Sequence, residues 1–298
     1  MEYQSTARMQ NRVALPRLGA LIQLFKLRIV ALLVLASIGG AVLASREQWR
    51  IGDLVLLVIT GAMSSAGASA LNQYIERDQD ARMRRTRGRP LVTRAVSHPA
   101  GALGVGSGLI VGAIAIALPF NQWLALFLAL GALIYVGVYT VWLKPRTMLN
   151  IVIGGAAGSC AVLSGSAAAG DWSHPTAVGL AFLIFVWTPV HFWSLAQVYR
   201  DDYASAGVPM LPLIASARAT AWWIGLHTAV TAFVALVLSV DPALGWLYFA
   251  PVGVATIWLA HHAVRLIRQP QAHAIHLFKC SNIYLGLVLV AIFIGTWF

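Results

Sequence analysis

The stretch Asn72–Leu91, NQYIERDQDARMRRTRGRPL, decides how the rest of the chain is read. It follows an uncharged run from Leu54 to Leu71, then brings three carboxylates and, up to Arg94, seven arginines. If Asn72 continues the helix of that run, Asn72, Glu76 and Asp80 recur every fourth residue and form one oxygen-bearing ridge, with neighbours about 6 Å apart. Asp78 points elsewhere. Oxygens on successive turns suit a hard cation such as magnesium, which keeps waters and takes one or two carboxylates beside substrate phosphates. The arginines suit the phosphate. The spacing therefore predicts a metal–diphosphate site where a membrane helix emerges into water. A basic run after an apolar segment also serves as a plain topology signal. The carboxylates are not explained that way: of ten Asp and Glu residues in the chain, five (Glu76, Asp78, Asp80, Asp201 and Asp202) fall in two short segments.

With 298 residues, 59% hydrophobic and 10% charged, the composition is that of a polytopic membrane protein. Cys160 and Cys280 lie in or beside apolar runs, so no disulfide framework is expected. The net charge of +11 belongs to membrane topology and anionic headgroups, not to nucleic acid. The opening 28 residues carry five basic groups and read as a cytoplasmic segment ahead of a first transmembrane helix, without signal cleavage.

Nine runs are long enough to span a bilayer: about Ile29–Ser45, Leu54–Tyr74, Ala100–Leu118, Trp123–Trp142, Leu149–Ala169, Thr176–Val198, Ala219–Val240, Leu244–Val264 and Leu277–Trp297. Their continuous apolarity predicts an all-α bundle rather than a β-barrel. With the amino terminus cytoplasmic, nineteen of the twenty-one Lys and Arg residues fall on the cytoplasmic side, leaving Arg46 and Arg50 outside. The two long cytoplasmic connections, Arg77–Pro99 and Arg200–Arg218, follow carboxylate-bearing helix ends. Residues 1–28 are thus expected to form the basic amino-terminal segment and 29–298 a single transmembrane domain.

The sixth run ends HFWSLAQVYRDDYASAGVPMLP, His191–Pro212. If one helix carries both ends, Asp202 stands at the depth of Asp80, while His191 shares its azimuth about 16 Å deeper. His191 then reads as a packing residue, as a group that ligates or orients a buried second substrate, or as a base. Pro189 predicts a kink. His261, His262, His273 and His276 match no helical metal spacing and read as solvated loop residues. Gly154 and Gly158 read as close helix packing.

The residues N-x-x-x-E-x-x-x-D followed by M-x-R-T-x-x-R-P-L (Asn72, Glu76, Asp80, Met83, Arg85, Thr86, Arg89, Pro90, Leu91) resemble the protohaem IX farnesyltransferase (haem O synthase) family. That family lies within the UbiA-type intramembrane prenyltransferases. YTVWLKPRTMLNIVIGGAAG from Tyr139, HFWSLAQ from His191, DYASAGVPMLP from Asp202 and LFKCSNIYL from Leu277 extend the resemblance over most of the chain. Two departures stand out. Lys26-Leu27-Arg28 replaces the family's Lys-Pro-Arg, and Ala161-Val162 replaces a double proline.

The resemblance implies a nine-helix UbiA-like bundle in the cell inner membrane and farnesyl transfer from farnesyl diphosphate to a vinyl group of haem b, giving haem O. It implies Mg2+ held by Asn72, Glu76, Asp80 and Asp202, with His191 completing the catalytic set. Arg85, Arg89, Lys144, Tyr199 and Lys279 are the substrate-binding residues it suggests. Haem A synthase or cytochrome oxidase assembly factors are the partners it suggests. An aromatic or chlorin acceptor would leave the metal chemistry unchanged. A secondary transporter is the reading from another class, but it would place ionisable groups at the bilayer midplane.

Overall fold

The computed structural model describes residues 18–45 and 50–297; Arg46 and most of the basic amino-terminal segment lie outside these. Among the described residues every regular element is helical. Among the same residues, nine helices are long and apolar enough to cross a membrane. They are α1 Leu27–Ser45, α2 Ile51–Asp80, α3 Pro99–Ala117, α4 Gln122–Leu143, α5 Asn150–Ala168, α6 Pro175–Val198, α7 Ala217–Val240, α8 Gly245–Arg268 and α9 Pro270–Trp297. In lipid every backbone polar group needs an internal partner, so uninterrupted apolar runs of this length become helices.

The ends of the helices follow local chemistry. Pro99 and Pro175 open α3 and α6 at positions whose N–H groups have no helical partner. The Asn121 side chain accepts from Leu124 N at 2.9 Å and donates to Ala167 O at 2.7 Å, so one amide caps α4 and holds the end of α5. Packing is close where side chains are small. A Cβ on Gly165 of α5 would stand 1.7 Å from Ser37 O of α1, which brings these two backbones into direct contact.

Three features set the site. The helix α2 runs unbroken for 30 residues to Asp80, so Asn72 continues the apolar run as expected. Residues Leu133–Leu143, the second half of α4, wind as a π-helix, a rare form concentrated at functional sites. Its bonds join residues five apart, as where Lys144 N–H donates to Tyr139 O at 2.9 Å, and the Thr140 hydroxyl donates to Tyr135 O at 2.8 Å. The helix α5 is interrupted at Gly155, facing Phe185 O. Pro189 lacks the N–H that would have bonded that carbonyl.

Two sequence expectations are corrected. The helix of His191 ends at Val198; Tyr199 (φ −104°, ψ 33°) breaks the ladder, and Asp201 and Asp202 belong to a separate short helix, Arg200–Ser205. The shared azimuth of His191 and Asp202 therefore does not hold. His261, His262, His273 and His276 are helical residues of α8 and α9, which are separated by Gln269 alone. Cys160 and Cys280 are buried and unpaired.

Gly154 shows how the fold feeds the site. A Cβ there would lie 2.7 Å from the Tyr139 ring, a contact that real side chains do not make. Gly154→Ala is expected to displace Tyr139 and to cost roughly 1–3 kcal/mol of stability, the scale of overpacking. Thermal unfolding and turnover of the variant check this.

Candidate active site

The ridge on α2 is buried. Asn72, Glu76 and Asp80 are each 2–3% exposed, whereas the Asp78 side chain is 84% exposed and pairs on the surface with Arg77 at 3.8 Å. The helix end is thus not an open, solvated terminus as the sequence suggested; the ridge is roofed by the following loop and by α4.

A cationic group meets each side chain of the ridge. Lys144 Nζ, at the end of the π-helical segment, donates to Glu76 Oε1. Arg89 donates to Asp80 Oδ2 and lies 3.5 Å from Glu76 Oε2. Lys26 Nζ donates to Asn72 Oδ1 at 2.7 Å and to the Tyr135 hydroxyl at 3.1 Å. The other end of the Asn72 amide donates to Thr140 Oγ1 at 3.0 Å, so both of its faces are assigned. Lys26 and Lys144 also lie 5.8 and 5.6 Å from the ring centroids of Tyr135 and Tyr139, which stack on each other.

Lys26 was missed as a site residue in the sequence, where it figured only in a departure from the family's Lys-Pro-Arg. Its placement is built from Gln73, whose amide donates to Gln23 O and Leu24 O at 2.7 and 2.8 Å and so satisfies the end of the short helix Leu18–Leu24. The chain then turns at Lys26 with φ 49°, a left-handed conformation unusual for a non-glycine residue and typical of constrained functional positions. Burial first, and then the neighbouring Arg89, pull the Lys26 ammonium down to about 7. Burial also works against the charge on Arg89, but Asp80 and Glu76 outweigh it and hold that guanidinium above its ordinary value.

The second acidic cluster docks on the loop after α2. Asp202, 7% exposed, accepts the backbone N–H of Arg85 at 2.9 Å and lies 3.8 Å from the Arg84 guanidinium. Arg85 reaches over the rings of Tyr199 and Tyr203, 5.9 Å from each centroid. Asp201 is exposed. Thr86 Oγ1 donates to Asp80 O at 3.0 Å, so one short segment ties both carboxylate sites. Lys279 stands exposed on α9 and joins none of these contacts.

Among the described residues no group of three His, Cys, Asp or Glu side chains forms a metal cage. Two carboxylates and an amide on successive turns, all buried, do fit a hard cation that completes its shell with water and phosphate oxygens. Lys26, Arg89 and Lys144 sit where they can pass from carboxylate to phosphate.

His191 lies among rings. Trp187 stacks on it at 4.7 Å, Phe278 of α9 lies at 4.6 Å, and Phe192 meets it edge-on at 5.1 Å. Its Nδ1 is buried without a hydrogen-bond partner among the described residues. The arrangement offers a flat aromatic wall with one nitrogen free to bond.

The sequence pattern of the UbiA prenyltransferase family matches residues 32–295. The chain is 41% identical to protoheme IX farnesyltransferase 2 of Paramagnetospirillum magneticum, over 93% of this chain and 96% of that one. It is 39% identical to the protoheme IX farnesyltransferase of Gloeobacter violaceus, over 99% of each, and 39% identical to that of Sulfurisphaera tokodaii, over 92% and 91%. In fold it resembles a digeranylgeranylglyceryl phosphate synthase, with a TM-score of 0.79 at 16% identity, covering 94% of this chain and 98% of that one. A UbiA homologue from Archaeoglobus fulgidus bound to DMAPP and Mg2+ gives 0.64 at 15% identity, covering 92% and 99%.

Proposed function

The chain belongs to the protohaem IX farnesyltransferase branch of the UbiA prenyltransferase family, and from that premise we propose that it transfers the farnesyl group of farnesyl diphosphate to a vinyl group of haem b, giving haem O and diphosphate, with magnesium. The observation that carries this reading is the buried ridge of Asn72, Glu76 and Asp80, each of whose oxygen-bearing side chains meets Lys26, Arg89 or Lys144. Oxygens for a cation and cations for a phosphate stand side by side.

Asn72, Glu76 and Asp80 would hold the metal from one side and Asp202 from the other. When bound, magnesium neutralises the diphosphate and makes it a better leaving group. Arg85, Arg89 and Lys144 would clamp its oxygens, Arg89 with the forked geometry that suits phosphate. As the bond from the allylic carbon to oxygen breaks, the diphosphate takes the electron pair and the carbon becomes cationic. The stacked faces of Tyr135 and Tyr139, already attractive to ammonium groups, would shelter that charge. The vinyl group supplies the electron pair for the new carbon–carbon bond. Water then adds at the cation left beside the macrocycle and releases a proton.

Haem is favoured over a smaller aromatic acceptor by the wall around His191, where Trp187, Phe278 and an unpartnered nitrogen would meet a flat ring and its iron or a propionate. We place the active site toward the cytoplasm and the chain in the inner membrane, where haem A synthase or cytochrome oxidase assembly factors would receive the product.

The test is product analysis of membranes given haem b and farnesyl diphosphate, with and without magnesium. A farnesylated hydroxyalkyl haem is expected only with the metal, and an aromatic or chlorin product would overturn the acceptor. His191→Ala is expected to lower haem retention and turnover at least tenfold while diphosphate binding survives. Normal haem O formation with an unaltered haem spectrum would make His191 a packing residue.

A further inference from the structure

The turn between α8 and α9 carries a cluster that the prenyl-transfer site does not use. On α8 it holds His261, His262, Arg265 and Arg268; on α9 it holds His273, His276 and Lys279. Arg218 opens α7 at the same end of the bundle. The rings of His261 and His262 lie 5.6 Å apart, those of His273 and His276 lie 5.7 Å apart, and Trp258 meets His262 edge-on at 5.5 Å. His262 is within electrostatic reach of Arg265 and of the other three imidazoles, and its Nδ1 is buried without a hydrogen-bond partner among the described residues.

Among the described residues no carboxylate pairs with this group. After Asp202 the sequence has one acidic side chain, Asp241, and it lies at the opposite end of the bundle, bonded to Thr176. The cluster therefore seeks an anion from outside the chain. Its surroundings say which kind. Directly beneath the polar crown the outward faces of α8 and α9 are apolar and bare, with Ile257 73% and Ile283 53% exposed. Both helices are long and apolar enough to cross the membrane, so the stripe faces acyl chains and the crown at the helix ends stands at headgroup depth, where the phosphate at hand is a lipid's. A molecule with a phosphate head and hydrocarbon tails uses both.

We infer that the α8–α9 turn binds the headgroup of an anionic glycerophospholipid, its phosphate held by Arg265 and the imidazoles and its acyl chains lying along the exposed faces of α8 and α9. Guanidinium and imidazolium groups form strong charge-assisted hydrogen bonds to phosphate. An imidazole gains its positive charge as pH falls, so the grip tightens toward acid. Each added positive charge near an anionic headgroup strengthens binding about fivefold. The surface is separate from the α2 ridge and does not depend on the acceptor proposed above.

The experiment uses the purified chain in neutral detergent micelles, with phosphatidylglycerol or phosphatidylcholine added at about pH 5.8 and about pH 7.8, and bound lipid counted by native mass spectrometry. Phosphatidylglycerol is expected to bind at least fivefold more tightly at the lower pH, and phosphatidylcholine weakly at both. The double variant His261→Gln, His276→Gln replaces two exposed rings; it should flatten the pH dependence while turnover stays unchanged. Arg265→Gln should weaken binding at both pH values. Three results would each overturn the inference: equal binding of phosphatidylcholine, displacement of the lipid by inorganic phosphate at matched concentration, or an unchanged pH profile in the double variant. The wild-type pH profile tests it even if a variant fails to fold.

Discussion

Glu76→Gln is expected to lower kcat/KM for farnesyl diphosphate by on the order of 10³-fold, roughly 4 kcal/mol of transition-state stabilisation, while the bundle stays folded. The amide keeps the shape of the side chain but gives up the charge that would bind a cation and that now meets Lys144 and Arg89. Glu76→Ala should do more. It leaves two cationic groups facing an apolar gap, and because the Glu76 side chain is only 4% exposed, the unfolding free energy should fall by about 3–5 kcal/mol. Asp78→Ala is the control: that side chain points into solvent, and both turnover and melting temperature should stay near wild type. A loss at Asp78 equal to that at Glu76 would contradict the ridge.

Arg89→Ala is expected to weaken diphosphate binding about 10- to 100-fold, the worth of a charge-assisted bidentate contact, with haem retention unchanged. Arg89 reaches both Asp80 and Glu76, so it stands between the two carboxylates and whatever anion enters beside them. Arg89→Lys should recover only part of the loss, because an ammonium cannot bond two oxygens in one plane. Titration with farnesyl diphosphate in the presence of magnesium measures the effect, and an unchanged affinity would remove Arg89 from the site.

Much of this arrangement is written in local sequence. The nine spans follow from runs of apolar residues, because lipid leaves an unbroken helix as the economical way to satisfy the backbone. The ridge of Asn72, Glu76 and Asp80 follows from four-residue spacing once α2 is extended. What was not legible depended on distant contacts. Burial of Glu76 and Asp80 comes from α4 and the loop after α2, and no local pattern announces it. Lys26 enters the site because Gln73, some fifty positions away, holds the turn before it. Tyr199 ends the helix of His191 although the residues around it would continue one. The four histidines read as a loop because polar residues usually mark one, yet Pro270 follows Gln269 directly and starts the next helix at once.

The π winding of Leu133–Leu143 makes residue count, as distinct from residue identity, part of the site. An ordinary helix advances about 100° per residue, so excising one position upstream of Tyr139 would swing Lys144 roughly a quarter turn away from Glu76 even if every remaining side chain were kept. Substitutions at outward positions such as Val141, which is 51% exposed, leave that phase intact. Point changes should therefore be tolerated along the outer face of this helix while single-codon deletions are not, and in any comparison of related chains this is the segment where a one-residue gap would mean a different pocket.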